Sequence, residues 1–211
     1  MKGDTYNALT QAGEAIYTEK RSKFYAFALP VETEEDVKQL LTAYRKKYYD
    51  ARHACYAYAL GVDGSQYRAN DDGEPSGTAG KPILGQIRSV DTTNVLVIVI
   101  RYFGGVKLGT GGLVVAYKTA AAEALANATI EEKIITESIK MEVPYSDADT
   151  AMRFIREEGA EIIGRDYTAT TTILTASIRK RDLDKLVERL QKILSLSFIK
   201  DDEDTQEAEE L

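Results

Sequence analysis

The chain has 211 residues, enough for one large domain or two small ones. Its hydrophobic fraction of 44% and charged fraction of 29% are typical of a globular protein and exclude a disordered chain. The net charge of −7 argues against a nucleic-acid-binding protein, which usually has a basic surface. A single cysteine, Cys55, excludes an internal disulfide and a multi-cysteine zinc site. Because there is also only one histidine, a His-rich metal centre is excluded, and we assign no cofactor and no metal.

The sequence predicts neither a membrane span nor a secretion signal. The longest wholly apolar run is Val95–Ile100, far short of the roughly 18 residues that cross a bilayer. The segment Met1–Ala15 lacks a basic stretch followed by an apolar core. We therefore expect a cytoplasmic protein with no membrane partner.

Strands and helices alternate in the first part of the chain. Two short strands within Ala15–Phe27 flank a charged turn, and Pro30 ends the second strand. Thr33 is a candidate N-cap, with Asp36 three positions later, for a helix that runs to about Tyr48. The next predicted elements are strands at Ala54–Leu60 and Gln66–Ala69, a helix opening at Lys81, a buried strand at Asn94–Arg101 and a helix at Leu113–Asn127.

The second part of the chain predicts the order strand, helix, strand, strand, helix, strand, which is that of a ferredoxin-like sandwich. Its strands are predicted at Ile134–Val143, Glu161–Arg165, Tyr167–Ile178 and Leu196–Ile199. Ser146 or Asp147 caps the first helix and Gly159 ends it, while the second helix covers Asp182–Leu194. The sequence thus predicts an α+β protein with two domains, at residues 15–130 and 131–200, and an N-terminal extension at residues 1–14.

The negative charge is confined to the end of the chain. Residues 201–211 contain seven acidic and no basic residues, which equals the whole net charge of −7. This composition predicts a disordered acidic tail. Since the rest of the chain is close to neutral, the objection to a nucleic-acid partner becomes weak, although binding would depend on local basic patches.

The first segment that suggests chemistry contains three carboxylates beside a turn. Asp71, Asp72 and Glu74 lie within four residues of one another and could hold Mg²⁺ or act as general acid and base. The alternative is a tight turn in which Asp and Gly satisfy local backbone requirements. Lys81, where the following helix opens, is a further candidate ligand contact.

The second segment is rich in glycine, follows the buried strand and opens a helix. Backbone N–H groups at a helix start bind anions, and glycines let a phosphate approach the backbone. The segment matches neither GxGxxG nor GxxxxGK[ST], so both common nucleotide fingerprints are absent. The alternative is a loop whose glycines serve close packing. The candidate phosphate-binding residues here are Arg101, Gly104, Gly105, Lys107, Gly109, Thr110, Gly111 and Gly112.

His53 begins a predicted strand and is a candidate base or ligand contact. A lone histidine is more often structural. Cys55 lies two residues on and therefore on the same face of the strand, but such pairs rarely have the geometry of a nucleophile and its base.

Two short basic clusters are interleaved with aromatic residues, a pattern that suits a phosphate backbone with stacked bases. The alternative is a solvated turn and a helix end at which cations are favourable. The candidate nucleic-acid contacts are Lys20, Arg21, Lys23, Arg45, Lys46 and Lys47.

Together these segments resemble the bacterial members of the YigZ/IMPACT family of translation regulators, over roughly residues 15–200. The motifs that carry the resemblance are Asp50–His53, Asp71–Pro75, Gly77–Pro82, Arg101–Gly105, Leu108–Leu113 and Ala116–Tyr117. The resemblance implies an N-terminal domain with the α/β fold shared by domain IV of elongation factor G and the GHMP kinases. It also implies a ferredoxin-like C-terminal domain similar to elongation factor G domain V.

The resemblance implies a translation-linked regulator that binds RNA or the ribosome, with no assigned reaction. Two alternatives remain open. One is an enzyme that binds a phosphate or nucleotide with the 104–112 loop and uses the carboxylates for a metal or proton; the other is a protein-interaction module. We expect the three candidate segments to converge on one face of the first domain.

Overall fold

The structure is a computed structural model and describes residues 4–199. The predicted acidic tail lies outside these residues. Contacts divide the described residues into an N-terminal unit, residues 5–133, and a C-terminal unit that contains residue 4 and residues 134–199. Each unit combines helices with antiparallel strands, so the expected mixture of α and β structure is confirmed.

The N-terminal unit is built on a five-stranded antiparallel sheet with the strand order β2-β3-β6-β4-β5. Its elements are β1 (Thr5–Gln11), β2 (Gly13–Glu19), β3 (Ser22–Pro30), α1 (Glu34–Lys47), β4 (His53–Leu60), β5 (Gln66–Asn70), α2 (Gly80–Ser89), β6 (Val95–Tyr102), α3 (Gly109–Ala126) and β7 (Thr129–Ile134). The central strand is β6, whose β-branched run Val95–Ile100 is fully buried as predicted.

Helices cover both faces of this sheet. Helices α2 and α3 form one core with it, and small side chains on α3, such as Ala116, Ala120 and Ala124, let that helix pack closely. Helix α1 covers the opposite face. The predicted cap of α1 is confirmed, because Thr33 and Asp36 form a reciprocal capping box.

The segment expected to be an N-terminal extension contains strand β1, which pairs with β7 in a separate two-stranded sheet. Only Ala8 and Leu9 of β1 are buried. The strand has too few apolar positions to show an alternating pattern, and its partner lies more than a hundred residues away. Propensity within the segment therefore could not reveal it.

The C-terminal unit has a four-stranded antiparallel sheet with the order β11-β8-β10-β9. Its elements are β8 (Thr136–Pro144), α4 (Tyr145–Glu157), β9 (Glu161–Tyr167), β10 (Thr171–Arg179), a 3₁₀ turn (Lys180–Asp182), α5 (Leu183–Leu190) and β11 (Ser197–Ile199). Its core is formed by apolar side chains of the sheet and both helices, among them Met141, Ile155, Leu174 and Leu186.

Two predicted helix boundaries in this unit are wrong. Helix α4 begins at Tyr145, directly after Pro144, so Ser146 and Asp147 lie in its first turn and bond to each other instead of capping it. Helix α5 ends at Leu190, and the chain continues to Ile193 in tight three-residue turns. Within residues 4–199, no helix has the length and apolarity needed to cross a bilayer.

Candidate functional site

Asp71 organises the loop that precedes α2. Its Oδ1 accepts hydrogen bonds from the backbone N–H groups of Ala79 (2.9 Å) and Gly80 (2.8 Å), and its Oδ2 accepts one from Gly77 (2.8 Å). Burial opposes ionisation, but these three donors lower the pKa of Asp71 below its usual value. Asp71 therefore caps the start of α2, which is the turn role that the sequence left open.

Asp72 fixes the neighbouring strand and the histidine. Its Oδ2 accepts a hydrogen bond from the N–H of Ala54 (2.6 Å), and its carboxylate forms an ion pair with Arg45. Its backbone carbonyl lies 2.8 Å from Nδ1 of His53. Because a carbonyl oxygen only accepts, Nδ1 carries the proton, and Nε2 is the acceptor nitrogen of the neutral ring.

Glu74 is the buried member of the group. Its Oε1 accepts hydrogen bonds from Nη1 of Arg101 (2.7 Å) and from the hydroxyl of Tyr117 (2.8 Å). The Cys55 thiol lies 3.3 Å from the same hydroxyl and 3.0 Å from the Asp71 carbonyl oxygen. Burial raises the pKa of Cys55 to about 12, so this thiol is un-ionised at neutral pH and is a poor nucleophile.

The three carboxylates thus do not form one acidic cluster. Asp71 caps the start of α2, Asp72 accepts a hydrogen bond from the Ala54 N–H and pairs with Arg45, and Glu74 pairs with a buried arginine. Across residues 4–199, no group of three His, Cys, Asp or Glu side chains is placed to hold a metal ion. The three residues are close in sequence, but each carboxylate has different partners, so the acidic cluster that the spacing suggested does not form.

The glycine-rich segment also differs from the predicted loop. Helix α3 begins at Gly109, four residues earlier than expected, so Gly109–Gly112 form its first turn. Gly104 is required for packing, since a Cβ atom there would lie 2.0 Å from the backbone carbon of Arg21. Gly109 has a φ of +71° and open space around it, so its role is to let the chain turn into the helix.

The start of α3 is open, in the sense that no side chain caps it, whereas Asp71 caps the start of α2. Leu108 occupies the N-cap position and offers no side-chain oxygen, and the first turn contains no acidic residue. The first N–H groups of a helix have no partner within the helix and attract negative charge. Of these two glycine-rich helix starts, that of α3 is the one suited to an exogenous anion.

A cavity of about 440 Å³ lies at the start of α3. It is lined by Arg52, His53, Glu74, Pro75, Arg101, Phe103, Lys107, Leu108, Gly109, Thr110 and Leu113. These residues come from all three candidate segments, so the predicted convergence is confirmed in geometry. That they bind a ligand stays a prediction.

The cavity includes some of the candidate residues and not others. Those that line it are His53, Glu74, Arg101, Lys107, Gly109 and Thr110, and those that do not are Asp71, Asp72, Lys81, Gly104, Gly105, Gly111 and Gly112. Sequence reasoning did not single out Arg52 or Phe103 as site residues. The available signals were the position of Arg52 beside His53 and an aromatic residue directly after the buried strand.

The lining is electrostatically positive. Three basic side chains, Arg52, Arg101 and Lys107, stand against one acid, Glu74, which Arg101 already neutralises. The Arg101 side chain is only 8% exposed, and in the described part of the chain its Nε is a buried polar atom with no hydrogen-bond partner. An unsatisfied buried N–H is costly, and this one belongs to a residue that lines the cavity.

One of the two basic clusters adjoins the cavity-forming loop. Lys20 and Arg21 form the tight turn between β2 and β3, and Gly104 packs on the backbone of Arg21 while donating to Oγ of Ser22 (3.1 Å). Lys23 pairs across the sheet with Tyr102, at the end of β6.

The other basic cluster, at the end of α1, makes contacts within the unit. Arg45 pairs with Asp72, and Nζ of Lys47 lies over the rings of Tyr44 and Tyr48, at 5.6 and 5.3 Å from their centroids. Lys46 is exposed. Nucleic-acid contact by these side chains stays a prediction.

The candidate site is thus a cationic cavity at an open helix start beside a buried central strand. The family model of the Impact N-terminal domain matches residues 20–125. The chain is 40% identical to an IMPACT family member of Thermus thermophilus, covering 67% of this chain and 76% of that one. The chain therefore belongs to the IMPACT family, as the motifs suggested.

Other relatives agree. The chain is 33% identical to the IMPACT family member YigZ of Escherichia coli, over 74% of this chain and 78% of that one. It is 34% identical to YvyE of Bacillus subtilis over 69% of this chain, a match that spans 64% of that relative. A crystal structure described as that of a hypothetical protein superposes with a TM-score of 0.72 at 28% identity, covering 95% of this chain and 98% of the other.

Proposed function

We propose that this protein is a translation-linked regulator that binds RNA, and through it the ribosome, with its N-terminal unit. The family resemblance motivates the link to translation. The observation that supports RNA binding is the cationic cavity at the open start of α3. The basic turn Lys20–Lys23 lies beside the loop that joins β6 to α3. Helix starts and basic side chains bind phosphate, and phosphates dominate the affinity of proteins for nucleic acids.

The cavity also offers a surface for a base. Phe103 lines the cavity and is 58% exposed. Stacking of a base on an aromatic ring is a common mode of binding to single-stranded nucleic acid. Since the chain before residue 201 carries little net charge, binding depends on this local patch. The proposal therefore assigns RNA contact to Arg52, Lys107, Phe103 and the basic turn.

The geometry supports binding better than the enzymatic alternative. That alternative used Asp71, Asp72 and Glu74 together on a metal or proton, whereas the three side chains are held in separate hydrogen-bond networks. No observation in the structure favours a protein-interaction module over RNA.

We also propose fold assignments for the two units, and a cytoplasmic location. The C-terminal sheet places its strands, numbered within the unit, in the order fourth, first, third, second, which supports the ferredoxin-like assignment. For the N-terminal unit, the elongation factor G domain IV and GHMP kinase assignment rests on the family resemblance.

Co-sedimentation of the full chain with ribosomes and with single-stranded RNA tests the proposal. The logarithm of the binding constant is expected to fall linearly with the logarithm of salt concentration, by about 0.7 per phosphate contact. The double variant Arg21→Gln/Lys23→Gln is expected to bind more weakly and to reduce the slope by about 1.4.

The matched control is Lys118→Gln/Lys192→Gln, which removes the same charge at exposed positions outside the patch. It is expected to keep the original slope. Binding that ignores salt, or no co-sedimentation at low salt, would contradict the proposal.

A further inference from the structure

We propose that the cavity at the start of α3 is a subsite for one phosphomonoester group of a nucleotide, with the phosphate at the helix start and the base on Phe103. This inference deepens the proposed function and rests on it. The ligand of the cavity is then the phosphorylated end of a nucleic-acid chain, or a free nucleotide, and not an internal phosphodiester.

The first support is the set of hydrogen-bond donors on residues that line the cavity. Arg101 is held in place by Glu74 through Nη1, so its guanidinium is positioned without a ligand. Its buried Nε–H remains without a partner in residues 4–199. The open first turn of α3, with Gly109 and Thr110 on the cavity wall, supplies further donors. A phosphate with three terminal oxygens matches several convergent donors better than a phosphodiester, which has two.

The second support is charge. After the Arg101–Glu74 pair is set aside, Arg52 and Lys107 leave two positive charges on the lining, and the helix start adds a partial one. A phosphomonoester carries between about −1.5 and −2 at pH 7. An internal phosphodiester carries a single charge, so it would neutralise the cavity only in part.

The third support is the shape and composition of the cavity. Its volume of about 440 Å³ lies within the range of pockets that hold small molecules. Phe103 and Leu108 make one side apolar, and the Phe103 ring centroid is 5.7 Å from the Arg101 guanidinium carbon. A base stacked on that ring would lie beside the positive charge that holds its phosphate. Nδ1 of His53 donates a hydrogen bond to the backbone carbonyl of Asp72, so Nε2 is the ring nitrogen left for a ligand.

Fluorescence anisotropy with the full chain and short labelled RNA oligonucleotides tests this assignment. The oligonucleotides share one sequence and carry a phosphate at the 5′ end, at the 3′ end, or at neither end. We expect one phosphorylated form to bind about tenfold more tightly than the unphosphorylated form, a difference set by charge-assisted hydrogen bonds. Competition with unlabelled nucleoside monophosphates separates the two sources: competition indicates a free nucleotide as ligand, and its absence indicates the RNA end.

Variants then assign the contacts. Arg52→Gln and Lys107→Gln alter exposed side chains and are each expected to remove most of the preference for the phosphorylated end, whereas Lys118→Gln keeps it. Phe103→Ala is expected to weaken nucleotide binding about tenfold while leaving binding of inorganic phosphate, measured by calorimetry, unchanged.

The outcomes distinguish this inference from the proposed function. Equal binding of all three oligonucleotides, with the salt dependence intact, would overturn the phosphomonoester subsite and leave RNA binding in place. Binding of nucleoside monophosphates with no RNA co-sedimentation would overturn the proposed function and keep the subsite. A preference that survives both Arg52→Gln and Lys107→Gln would place the phosphate elsewhere.

Discussion

At the scale of single residues, Asp71 shows how a side chain that resembles a catalytic acid can be structural. One carboxylate satisfies three backbone N–H groups of the loop and of α2. Loss of this carboxylate would leave the three N–H groups unpaired, and two of them belong to the buried residues Ala79 and Gly80. Hydrogen bonds to a charged group contribute more to stability than neutral ones.

We expect Asp71→Asn to lower the free energy of unfolding by about 1.5–3 kcal/mol at pH 6. The pKa of Asp71 is lowered in the folded state, so its contribution is fully present above the unfolded value of about 3.9 and is lost as the pH falls through the lower folded value. The difference between the two proteins should therefore shrink at pH 3. Urea unfolding at both pH values measures it, with the exposed Glu123→Gln as control; a difference independent of pH would contradict the assignment.

The thiol of Cys55 provides a second prediction at this scale. Because it is fully buried and its pKa is raised to about 12, we expect iodoacetamide at pH 8 to leave it unmodified in the folded protein and to label it in urea. The variant Ser76→Cys, at an exposed loop position, should gain one rapidly labelled thiol per chain, as mass spectrometry would show. Rapid native labelling of Cys55 itself would count against the buried Cys55–Tyr117–Glu74 network.

At the scale of elements, the loop between β6 and α3 depends on one close approach. We expect Gly104→Ala to cost about 3 kcal/mol or more, because its Cβ atom would overlap the backbone of the β2–β3 turn. Gly111→Ala, in the first turn of α3, meets no atom within 4 Å and should stabilise the protein by about 0.5–1 kcal/mol. Urea unfolding compares the two; similar effects of both substitutions would be inconsistent with this packing.

The elements also show what the sequence can and cannot predict. Local signals sufficed where the determinants were local: the Thr33–Asp36 capping box, the turn after Glu19 and the buried run of β6 were all readable. They failed for β1, which is stabilised by a distant partner, and for the start of α4, where Pro144 opens the helix without a side-chain cap.

For the site, spacing predicted which segments meet but not how each side chain points. Asp71, Asp72 and Glu74 are adjacent in sequence, yet Glu74 alone reaches the cavity. Side-chain direction depends on the left-handed turn at Asp72, with a φ of +44°, and on the buried partners Arg101 and Tyr117. The Asp72-Gly73 pair signals the turn, but no local pattern shows that Glu74 meets Arg101 and Tyr117, which lie 27 and 43 residues away.

At the scale of the whole molecule, charge is distributed unevenly along the chain. The seven acidic residues of 201–211 account for the net charge of −7, while the cationic cavity belongs to the N-terminal unit. An acidic segment tethered to the same molecule competes with RNA phosphates for basic side chains.

We expect removal of residues 201–211 to raise RNA affinity severalfold at low salt, with the gain vanishing as screening shortens the Debye length to about 3 Å at 1 M salt. A full-length control, with the acidic residues replaced by Asn and Gln, should behave like the truncated protein in the anisotropy assay. A truncation that changes affinity while the neutralised chain does not would indicate that charge is not the cause.

The pairing of β1 with β7 has a consequence for how this chain is made. Gln11 and Thr129, which are hydrogen-bonded in the finished structure, are separated by 118 positions. At about 5–20 residues per second, β1 leaves the ribosome on the order of ten seconds before its partner strand exists. During that interval the edge of β1 that will face β7 is unpaired, and its polar residues Thr5, Asn7, Thr10 and Gln11 make it a poor template for other nascent chains. The polar composition that leaves β1 without an alternating apolar pattern thus also lowers the risk of aggregation before β7 is synthesised.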